Sequence, residues 1–574
     1  MPIYNTDIAA VFDEIADYLE IEGENPFRIR AYRNASRNIR GLGYELRYLV
    51  DQKEDLTQLP GIGKELAAKI VEILETGNAR TLKKLQDRHP KTLRDILKLP
   101  NLGPKRVRVL YQDLKIKNLE QLIKAAKNGR IRAMPGFGAR TEQQIMQVAE
   151  AHATKEKRFK IADVKPHVDS LTKYLEAVPG VNHVVAAGSY RRAKETVGDL
   201  DILVTARKNS LVMDHFADYD DVKEVLSKGT TRSSIALHNG LQVDLRLVEQ
   251  SSFGAALQYF TGSQEHNIAI RRLGRQRGLK INEYGVFKFE KRVAGKTEAS
   301  VYQAVDLPYL PPELRENRGE IEAARDGRLP KLIELSDLKG DLHIHTDYTD
   351  GRNSLREMAL AAKQRGYKYI AATEHSDRLK IADGLDAPKL LKQTEEIDQL
   401  NEELKGIRIL KGIEVEILVD GRLDLADNVL AKLDLVVGTI HHQFGLSLQK
   451  QTQRILRAMD HPHFTFLAHP TGRLINEREP YDVDMGQIIR KAQQRGCFLE
   501  LNANPRRLDL YDTYCQMAKE EGVLVAINSD AHIVNALDHI HFGVGQARRG
   551  WLEKNDVLNT RPLQELQKLL KQTM

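Results

Sequence analysis

The sequence predicts a multidomain protein of mixed α+β and α/β class: a helical N-terminal region, a middle part built on alternating strands, and a C-terminal distorted (β/α)7 barrel or a closely related wound sheet. A chain of 574 residues is too long for one hydrophobic core. Helical apolar spacing runs to about residue 150 and changes to strand alternation near residue 183. Beyond residue 340 about seven strand and helix units repeat.

The composition is that of a soluble globular protein, with 41% hydrophobic and 29% charged residues. Two cysteines exclude a disulfide framework and a thiolate zinc site, which indicates a reducing cytoplasm. The N-terminus lacks a signal-peptide layout, and no apolar run could span a bilayer, so we expect no membrane association. The net charge of +7 fits a polyanionic partner or ordinary solubility equally well, although arginines do cluster near residues 28–40 and 271–277.

The helical region contains three related turns: LPGIGKE at 59–65, LPNLGPK at 99–105 and MPGFGAR at 134–140. A glycine turn that opens a helix exposes backbone amides that can hold a phosphate. One such turn is as easily structural, but three with nearby bases resemble helix-hairpin-helix elements that grip a DNA backbone. The expected DNA-binding positions are Gly61, Gly63, Gly103, Gly136 and Gly138.

The middle part carries paired carboxylates in the stretch AAGSYRRAKETVGDLDILV at 186–204. Strand alternation places Asp199 and Asp201 on one face, and Asp244 follows in LQVDLRLV. Surface acids on amphipathic strands are the alternative for a lone Asp-x-Asp. With GSYRR ten residues earlier, the three carboxylates predict a catalytic site for two Mg²⁺ or Mn²⁺ ions.

This pattern resembles the nucleotidyltransferase palm, which polymerases share with RNA-modifying and small-molecule nucleotidyltransferases. The segment YFTGSQEHN at 259–267 resembles the thumb of family X DNA polymerases, and INEYGVF at 281–287 matches too. The resemblance implies that Ser189 and Arg192 contact the triphosphate of a dNTP, and that Asn267 contacts the base edge. It assigns the sugar and steric gate to Tyr259, Phe260 and Gly262. Lys69 resembles by spacing the Schiff-base lysine of family X lyase domains, although a solvated surface lysine is as good an interpretation.

The C-terminal part places histidines and carboxylates where strands give way to loops, beginning with DLHIHTDYTDG at 341–351. In a (β/α) barrel those ends converge on one mouth. Nine groups there match the polymerase and histidinol phosphatase (PHP) superfamily, which implies up to three Mn²⁺ or Zn²⁺ ions. The expected ligands are His343, His345, Asp350, His375, Glu414, His441, His469, Asp530 and His532.

Glu374 stands where many relatives have Asp, which puts little in doubt because the following His375 is the expected ligand. Two other residues near these ligands are ambiguous. His442 follows the preferred ligand His441, and Arg473 is either a phosphate contact or a plain loop arginine.

The chain is therefore similar to a bacterial or archaeal family X DNA polymerase with a PHP domain. The resemblance implies gap-filling synthesis on gapped or nicked DNA, 3'-5' exonuclease or 3'-end processing, and abasic-site cleavage as a further activity, in a monomer of the cytoplasm and nucleoid. Two alternatives are a PHP domain that is only a metal-stabilised scaffold, and an RNA or small-molecule nucleotidyltransferase. The expected parts are a lyase-like domain at 1–90, a fingers-like region at 91–155, a palm at 156–250, a thumb at 251–317, a linker at 318–338 and a PHP domain at 339–574.

Overall fold

The computed structural model describes residues 5–40, 46–51, 53–59, 61–76, 79–89, 92–97, 99, 102–134, 136–139, 141–146, 149, 158–379 and 382–573. The chain divides into two compact units, Met1–Lys157 and Arg158–Met574. The expected domain boundaries at 90/91 and 155/156 lie outside the described residues. Within the described ranges, no helix has both the length and the apolar character needed to cross a bilayer.

The first unit is helical, as the spacing predicts. Ile8, Phe12, Ile15 and Leu19 repeat at helical intervals and are buried in its core. The helices are α1 (Asn5–Glu22), α2 (Pro26–Arg40), α3 (Leu46–Asp51), α4 (Lys64–Thr76), α5 (Arg80–Arg88), α6 (Leu93–Leu97), α7 (Pro104–Gln112) and α8 (Leu119–Lys127).

The second unit begins with a five-stranded mixed sheet in the order β2-β4-β7-β6-β5, in which β4 and β7 run parallel. The three expected strands correspond to β2, β4 and β7, whereas β5 and β6 were not predicted. The elements are β1 (Phe159–Lys160), α9 (Ile161–Glu176), β2 (Val181–Ala186), α10 (Gly188–Arg191), β3 (Thr196–Val197), β4 (Asp199–Ala206), α11 (Val212–Ala217), β5 (Val222–Lys228), β6 (Arg232–Leu237) and β7 (Gln242–Leu247).

One face of this sheet is covered and the other bears the carboxylates. Leu200 and Val243 pack with Leu171 of α9 and Phe216 of α11 in one apolar cluster. Because side chains alternate along a strand, the aspartates that flank Leu200 project from the opposite face.

Two helices, a three-stranded meander and two short helices follow the sheet. Val286, Ile270 and Val301 share a core with Leu310 and Ile321. The elements are α12 (Phe253–Thr261), α13 (Gln264–Gln276), β8 (Leu279–Asn282), β9 (Gly285–Lys288), β10 (Lys291–Ala294), α14 (Glu298–Gln303) and α15 (Glu320–Arg325).

The C-terminal part is a seven-stranded parallel sheet whose strands follow sequence order, as expected from the repeated strand and helix units. The sheet is nearly closed: the Asp530 amide donates to the His343 carbonyl at 3.0 Å, and the His345 amide donates to the Ala531 carbonyl at 2.9 Å. The strands are β11 (Gly340–Ile344), β12 (Tyr369–Ala372), β13 (Arg408–Glu416), β14 (Leu435–Thr439), β15 (Phe466–Leu467), β16 (Phe498–Asn502) and β17 (Val525–Asn528).

Helices cover this barrel, and its interior is apolar near the strand starts. Leu342, Phe466 and Phe498 pack there with Leu566 and Leu570 of the last helix. The polar side chains lie at the opposite end of the barrel, at the carboxyl ends of the strands. The helices are α16 (Leu355–Gln364), α17 (Ala387–Glu403), α18 (Asp427–Leu430), α19 (Leu448–Met459), α20 (Met485–Arg495), α21 (Asp512–Glu520), α22 (Ile540–Arg549) and α23 (Leu563–Thr573).

Candidate functional sites

The three predicted catalytic carboxylates lie on the two central parallel strands of the five-stranded sheet. Asp201 on β4 is in register with Asp244 on β7, and Asp199 is in register with Gln242. Asp244 accepts hydrogen bonds from Gln242 Nε2 at 2.9 Å and from Arg232 Nη2 at 3.0 Å. The fold therefore brings all three aspartates to one face of the sheet.

The electrostatics of this group favour a bound cation. Burial, followed by repulsion from Asp199 and Asp244, raises the pKa of Asp201 to about 7. Burial also opposes ionisation of Asp244, but hydrogen bonds from Gln242, Ser234 and Arg232 outweigh it and lower the pKa of that carboxyl. Carboxylates held together at such a cost fit divalent ions with oxygen ligands, and these residues would hold them.

A glycine makes room for the central carboxylate. Gly188 begins α10 with φ at +63°, and a Cβ placed on it would lie 2.9 Å from Asp201 Oδ2. The Ala187 amide donates to the Asp201 carbonyl at 2.8 Å, so this turn and β4 are fixed to each other. Both the left-handed backbone and the close approach explain the glycine of GSYRR.

The arginine pair of the same motif is bound to the following region rather than pointing freely outward. Arg191 makes a two-pronged ion pair with Glu298, at 2.8 and 2.6 Å. Arg192, which is 9% exposed, donates from Nε to Glu316 Oε1 at 3.0 Å and from Nη1 to the Thr261 carbonyl. The predicted triphosphate contact Arg192 therefore sits where the sheet meets α12.

The YFTGS segment forms the end of α12 and the start of α13. Tyr259 and Phe260 rings meet edge to face with centroids 5.1 Å apart. Gly262 ends α12 with φ at +72°, next to Arg192. The Asn267 amide is held within this region, because its Oδ1 accepts from Gln258 Nε2 at 2.8 Å and its Nδ2 donates to the Tyr259 carbonyl at 2.6 Å. The base-edge contact assigned to Asn267 stays a prediction.

The barrel ligands converge at the mouth as expected. Three groups have their ligand atoms within 4.8 Å of one another: His345, Asp350, His375 and His532; His343, His345 and Asp530; and His375, Glu414 and His441. His469 lies beside the third group, with Nε2 3.0 Å from Glu414 Oε1. His469 and Asp530 both adopt positive φ, at 27° and 53°, a backbone strain that occurs often at functional sites.

The donor chemistry of this cluster fits metal ions. His345 Nδ1 is buried without a hydrogen-bond partner among the described residues, and the Nε2 atoms of His343 and His345 face each other at 3.1 Å. Burial opposes a charged His375, yet Glu414 and Asp350 outweigh it and raise the pKa of His375 to about 10. Buried imidazoles and carboxylates this close together suit divalent cations with nitrogen and oxygen ligands.

Glu500 orients the first histidine and was missed in the sequence. Its carboxylate accepts from His343 Nδ1 at 2.7 Å, from the His469 amide at 2.8 Å and from Asn528 Nδ2 at 2.9 Å. A proton held on Nδ1 by Glu500 leaves Nε2 of His343 as the ligand atom. The one available signal was a carboxylate inside the apolar strand FLELN.

Glu416 orients His441 in a similar way. It accepts from the His441 amide at 2.9 Å, its Oε2 lies 3.2 Å from His441 Nδ1, and the buried Arg454 donates to it at 3.0 Å. His442 is half exposed, lies 3.6 Å from Glu416 and belongs to none of the three groups. This geometry agrees with the preference for His441 over His442.

Arg473 is a buried arginine in the loop after β15, which favours the plain loop arginine of the two interpretations. Its guanidinium is buried between the barrel and the five-stranded-sheet region, where it donates to Glu195 at 3.1 and 2.7 Å and to the Arg507 carbonyl at 2.8 Å. It also lies 3.7 Å from the centroid of the Tyr511 ring. A cation that does lie at the cluster is Arg507, whose Nε is 3.6 Å from Asp530 Oδ2.

Glu374 supports the loop after β11. It accepts from the amide of Thr346 at 3.1 Å, and from the hydroxyls of Thr346 and Thr349 at 2.5 Å each. Burial raises the pKa of this carboxyl. Its role in positioning that loop explains why a Glu is accommodated there.

The expected phosphate-binding glycines of the first unit lie at helix starts. Gly63 precedes α4 and Gly103 caps α7, and a Cβ at either position, or at Gly138, would meet no heavy atom within 4 Å. Gly61 and Gly136 have φ of +76° and +81°, which glycine adopts at little cost. Lys69 on α4 is largely buried and pairs with Glu65 at 2.7 Å.

Family models match successive parts of the chain: a helix-hairpin-helix domain at 3–79, a SAM-like helix-hairpin-helix tandem at 93–151, a DNA polymerase beta palm at 158–273, a DNA polymerase beta thumb at 256–316 and a PHP domain at 341–530. A Bacillus subtilis protein named DNA polymerase/3'-5' exonuclease PolX is 39% identical over 99% of this chain and its own full length.

Two more distant relatives each match one part of the protein. DNA polymerase lambda of Rattus norvegicus is 24% identical over 54% of this chain and 56% of its own length. A probable phosphatase of Syntrophotalea carbinolica is 30% identical over 34% of this chain and 81% of its own length. With the carboxylate site and the barrel cluster both in place, the full-length similarity shows that this chain belongs to the family X DNA polymerases that carry a C-terminal PHP domain.

Proposed function

We propose that this protein is a template-directed DNA polymerase whose PHP domain removes nucleotides from a 3' end. The observation that supports the proposal is that one chain brings together two clusters of potential metal ligands, the aspartates on β4 and β7 and the three groups at the barrel mouth. The relative that matches this chain over its full length is named for the same pair of activities.

In the polymerase site, Asp199, Asp201 and Asp244 would hold two divalent ions, Mg²⁺ or Mn²⁺. Such a pair supplies activation of the primer 3'-hydroxyl and charge stabilisation at the triphosphate. Ser189 and Arg192 bind the triphosphate of the incoming dNTP. Tyr259, Phe260 and Gly262 lie against its sugar, and Asn267 contacts its base.

In the PHP site, the nine ligands would hold up to three ions, Mn²⁺ or Zn²⁺, which supply Lewis-acid activation of water for phosphodiester hydrolysis. Glu500 and Glu416 fix the ring orientations of His343 and His441, and Arg507 offers a positive charge at the edge of the cluster for a substrate phosphate. The same hydrolytic chemistry extends to cleavage at abasic sites.

We further infer that the substrate is gapped or nicked DNA, bound through the backbone amides of the helix-hairpin-helix turns. The protein acts as a monomer in the cytoplasm and nucleoid. Each expected domain has its own role in this proposal. The regions at 1–90 and 91–155 bind DNA, and the palm at 156–250 and the thumb at 251–317 carry out synthesis. After a linker at 318–338, the PHP domain at 339–574 carries out hydrolysis.

Primer extension on matched DNA substrates tests the polymerase proposal. We expect faster filling of a one-nucleotide gap than of an open primer terminus, and no incorporation by Asp201→Ala. Wild-type protein that fails to extend a DNA primer but transfers a nucleotide to RNA or to a small acceptor would contradict it.

The nuclease proposal and the scaffold alternative for the PHP domain predict different outcomes in a 3'-end degradation assay. If the domain is a nuclease, His343→Ala loses Mn²⁺-dependent degradation of a 3' end and of abasic-site DNA while retaining extension. Pure wild-type protein without nuclease activity would support the scaffold instead.

A further inference from the structure

An arginine of the PHP domain reaches the nucleotide-binding motif of the palm. Arg549, at the end of α22, is 5% exposed. Its Nη1 donates to the Arg192 carbonyl at 2.9 Å and to Glu316 Oε1 at 2.8 Å. Among the described residues, no other side chain of the PHP domain forms a hydrogen bond with Arg192.

Glu316 connects the two arginines. The same Oε1 atom accepts from Arg192 Nε at 3.0 Å and from Arg549 Nη1 at 2.8 Å, while Lys194 lies 3.9 Å from Oε2. Burial opposes ionisation of Glu316, but Arg549 and then Arg192 outweigh it and lower the pKa of its carboxyl. One largely buried carboxylate, 12% exposed, thus shares its charge mainly between a palm cation and a PHP cation.

Arg549 is itself rigidly held. Its Nη2 donates to Asp512 Oδ2 at 2.7 Å, and Arg318 donates to the same oxygen at 3.0 Å and to the Arg549 carbonyl at 3.2 Å. One turn earlier on α22, a Cβ on Gly545 would lie 3.1 Å from Cβ of Ala193, so helix and palm are in close contact. The position of Arg549 is therefore fixed by the barrel.

We propose that Arg549 is a positioning residue for the polymerase site: it acts through Glu316 and the Arg192 main chain to keep the Arg192 guanidinium available to the triphosphate. Of the three Arg192 nitrogens, Nε and Nη1 are bound to Glu316 and Thr261, whereas Nη2 has no hydrogen-bond partner among the described residues. The inference rests on the proposed triphosphate role of Arg192.

The charge balance gives the direction of the effect. With Arg549 present, Glu316 has a second buried cation, so the triphosphate competes with a carboxylate that is already partly neutralised. Without Arg549, the Glu316 carboxylate is left to Arg192 and the more distant Lys194, and the Arg192 main chain loses its donor. Both changes weaken triphosphate binding, because an under-compensated buried charge holds its remaining partner more strongly.

Steady-state incorporation of one nucleotide by the full-length protein tests this proposal. For Arg549→Gln we expect a KM for dNTP raised roughly tenfold, equivalent to about 1.4 kcal/mol, with kcat within about twofold and PHP nuclease activity unchanged. Arg549→Lys restores the charge and should recover part of the affinity. Arg548→Gln is the matched control: Arg548 is the neighbouring residue, but its side chain pairs with Glu313 at 2.7 Å and contacts neither Arg192 nor Glu316.

A KM equal to that of wild type in Arg549→Gln would overturn the proposal, as would an equal rise in Arg548→Gln. If Arg549→Gln fails to fold, Glu316→Gln decides, because it leaves the Arg549 and Asp512 pair intact. It removes the carboxylate that competes with the triphosphate for Arg192, so its KM for dNTP should fall below that of wild type, and an unchanged or higher value overturns the proposal. If the proposed polymerase function is itself wrong, the wild-type protein will incorporate no nucleotide, and this result is distinct from an unchanged KM in the variants.

Discussion

Glu500→Gln should weaken the PHP metal site while leaving the polymerase site unchanged. The native carboxylate receives four hydrogen bonds, from His343 Nδ1, the His469 amide, Asn528 and Asn502, at 2.7 to 3.1 Å. A glutamine of the same shape has only one acceptor oxygen, and its NH₂ group would face donors. It therefore cannot accept from both His343 Nδ1 and the His469 amide, and the orientation of His343 and of the turn that carries His469 is no longer fixed. Removing such a partner costs about 10- to 100-fold in metal affinity, or about 1.4 to 2.7 kcal/mol.

The assay is a Mn²⁺ titration of 3'-end degradation on a labelled DNA primer without dNTP. We expect the half-saturating Mn²⁺ concentration to rise by that factor and the rate at saturation to recover at least in part. Glu553→Gln is the control, because this barrel glutamate pairs with Lys519 at 2.9 Å and is not among the ligands. A Glu500→Gln titration curve that overlays the wild-type curve would refute the orienting role of Glu500.

Two further predictions rest on the geometry of the sites, and a third rests on the resemblance of Lys69 to a lyase lysine. Gly188→Ala should lower the extension rate at least tenfold and leave the nuclease rate unchanged, since the new Cβ would lie 2.9 Å from Asp201 Oδ2. Gly327→Ala is the control for backbone strain, because Gly327 has a similar φ (+66°) but open space around it. Equal extension rates in wild type and Gly188→Ala would contradict the prediction. Saturating Mn²⁺ should raise the melting temperature of the PHP transition, because at 100 times the Kd it adds about 2.7 kcal/mol to the free energy of unfolding. His375→Ala removes a residue that belongs to two of the three ligand groups, so this variant should lose most of that gain. Borohydride should trap a covalent adduct on 5'-deoxyribose phosphate DNA that Lys69→Ala abolishes, whereas a missing or unchanged adduct would exclude the lysine.

The sequence predicted most of the strands that carry the sites. Strands such as LVVGT are wholly buried and are followed by polar ligands, so their apolar runs were visible without a structure. The two strands that were missed have weaker patterns. β5 is almost entirely exposed, and β6 begins with Arg and two serines, so neither shows a clear apolar alternation.

Residues that act through long-range contacts could not be found in this way. Glu500 meets His343 across 157 positions, and Arg473 pairs with Glu195 across 278 positions. Local periodicity contains no information about such pairs, so Glu500 was overlooked and the two interpretations of Arg473 stayed open. The Asp-x-Asp and His-x-His motifs, in contrast, have their partners at fixed positions on the same strand, where alternation decides the face.

The central claim is that one chain contains two independent active sites, and reciprocal loss of activity on one DNA substrate tests it most directly. A gapped DNA with a labelled primer is incubated with Mn²⁺, with and without dNTP, and the primer length is followed for Asp201→Ala and His343→Ala. We predict that Asp201→Ala shortens the primer but never extends it, and that His343→Ala extends it but never shortens it. Loss of both activities in either variant, in protein with a wild-type melting profile, would contradict the account.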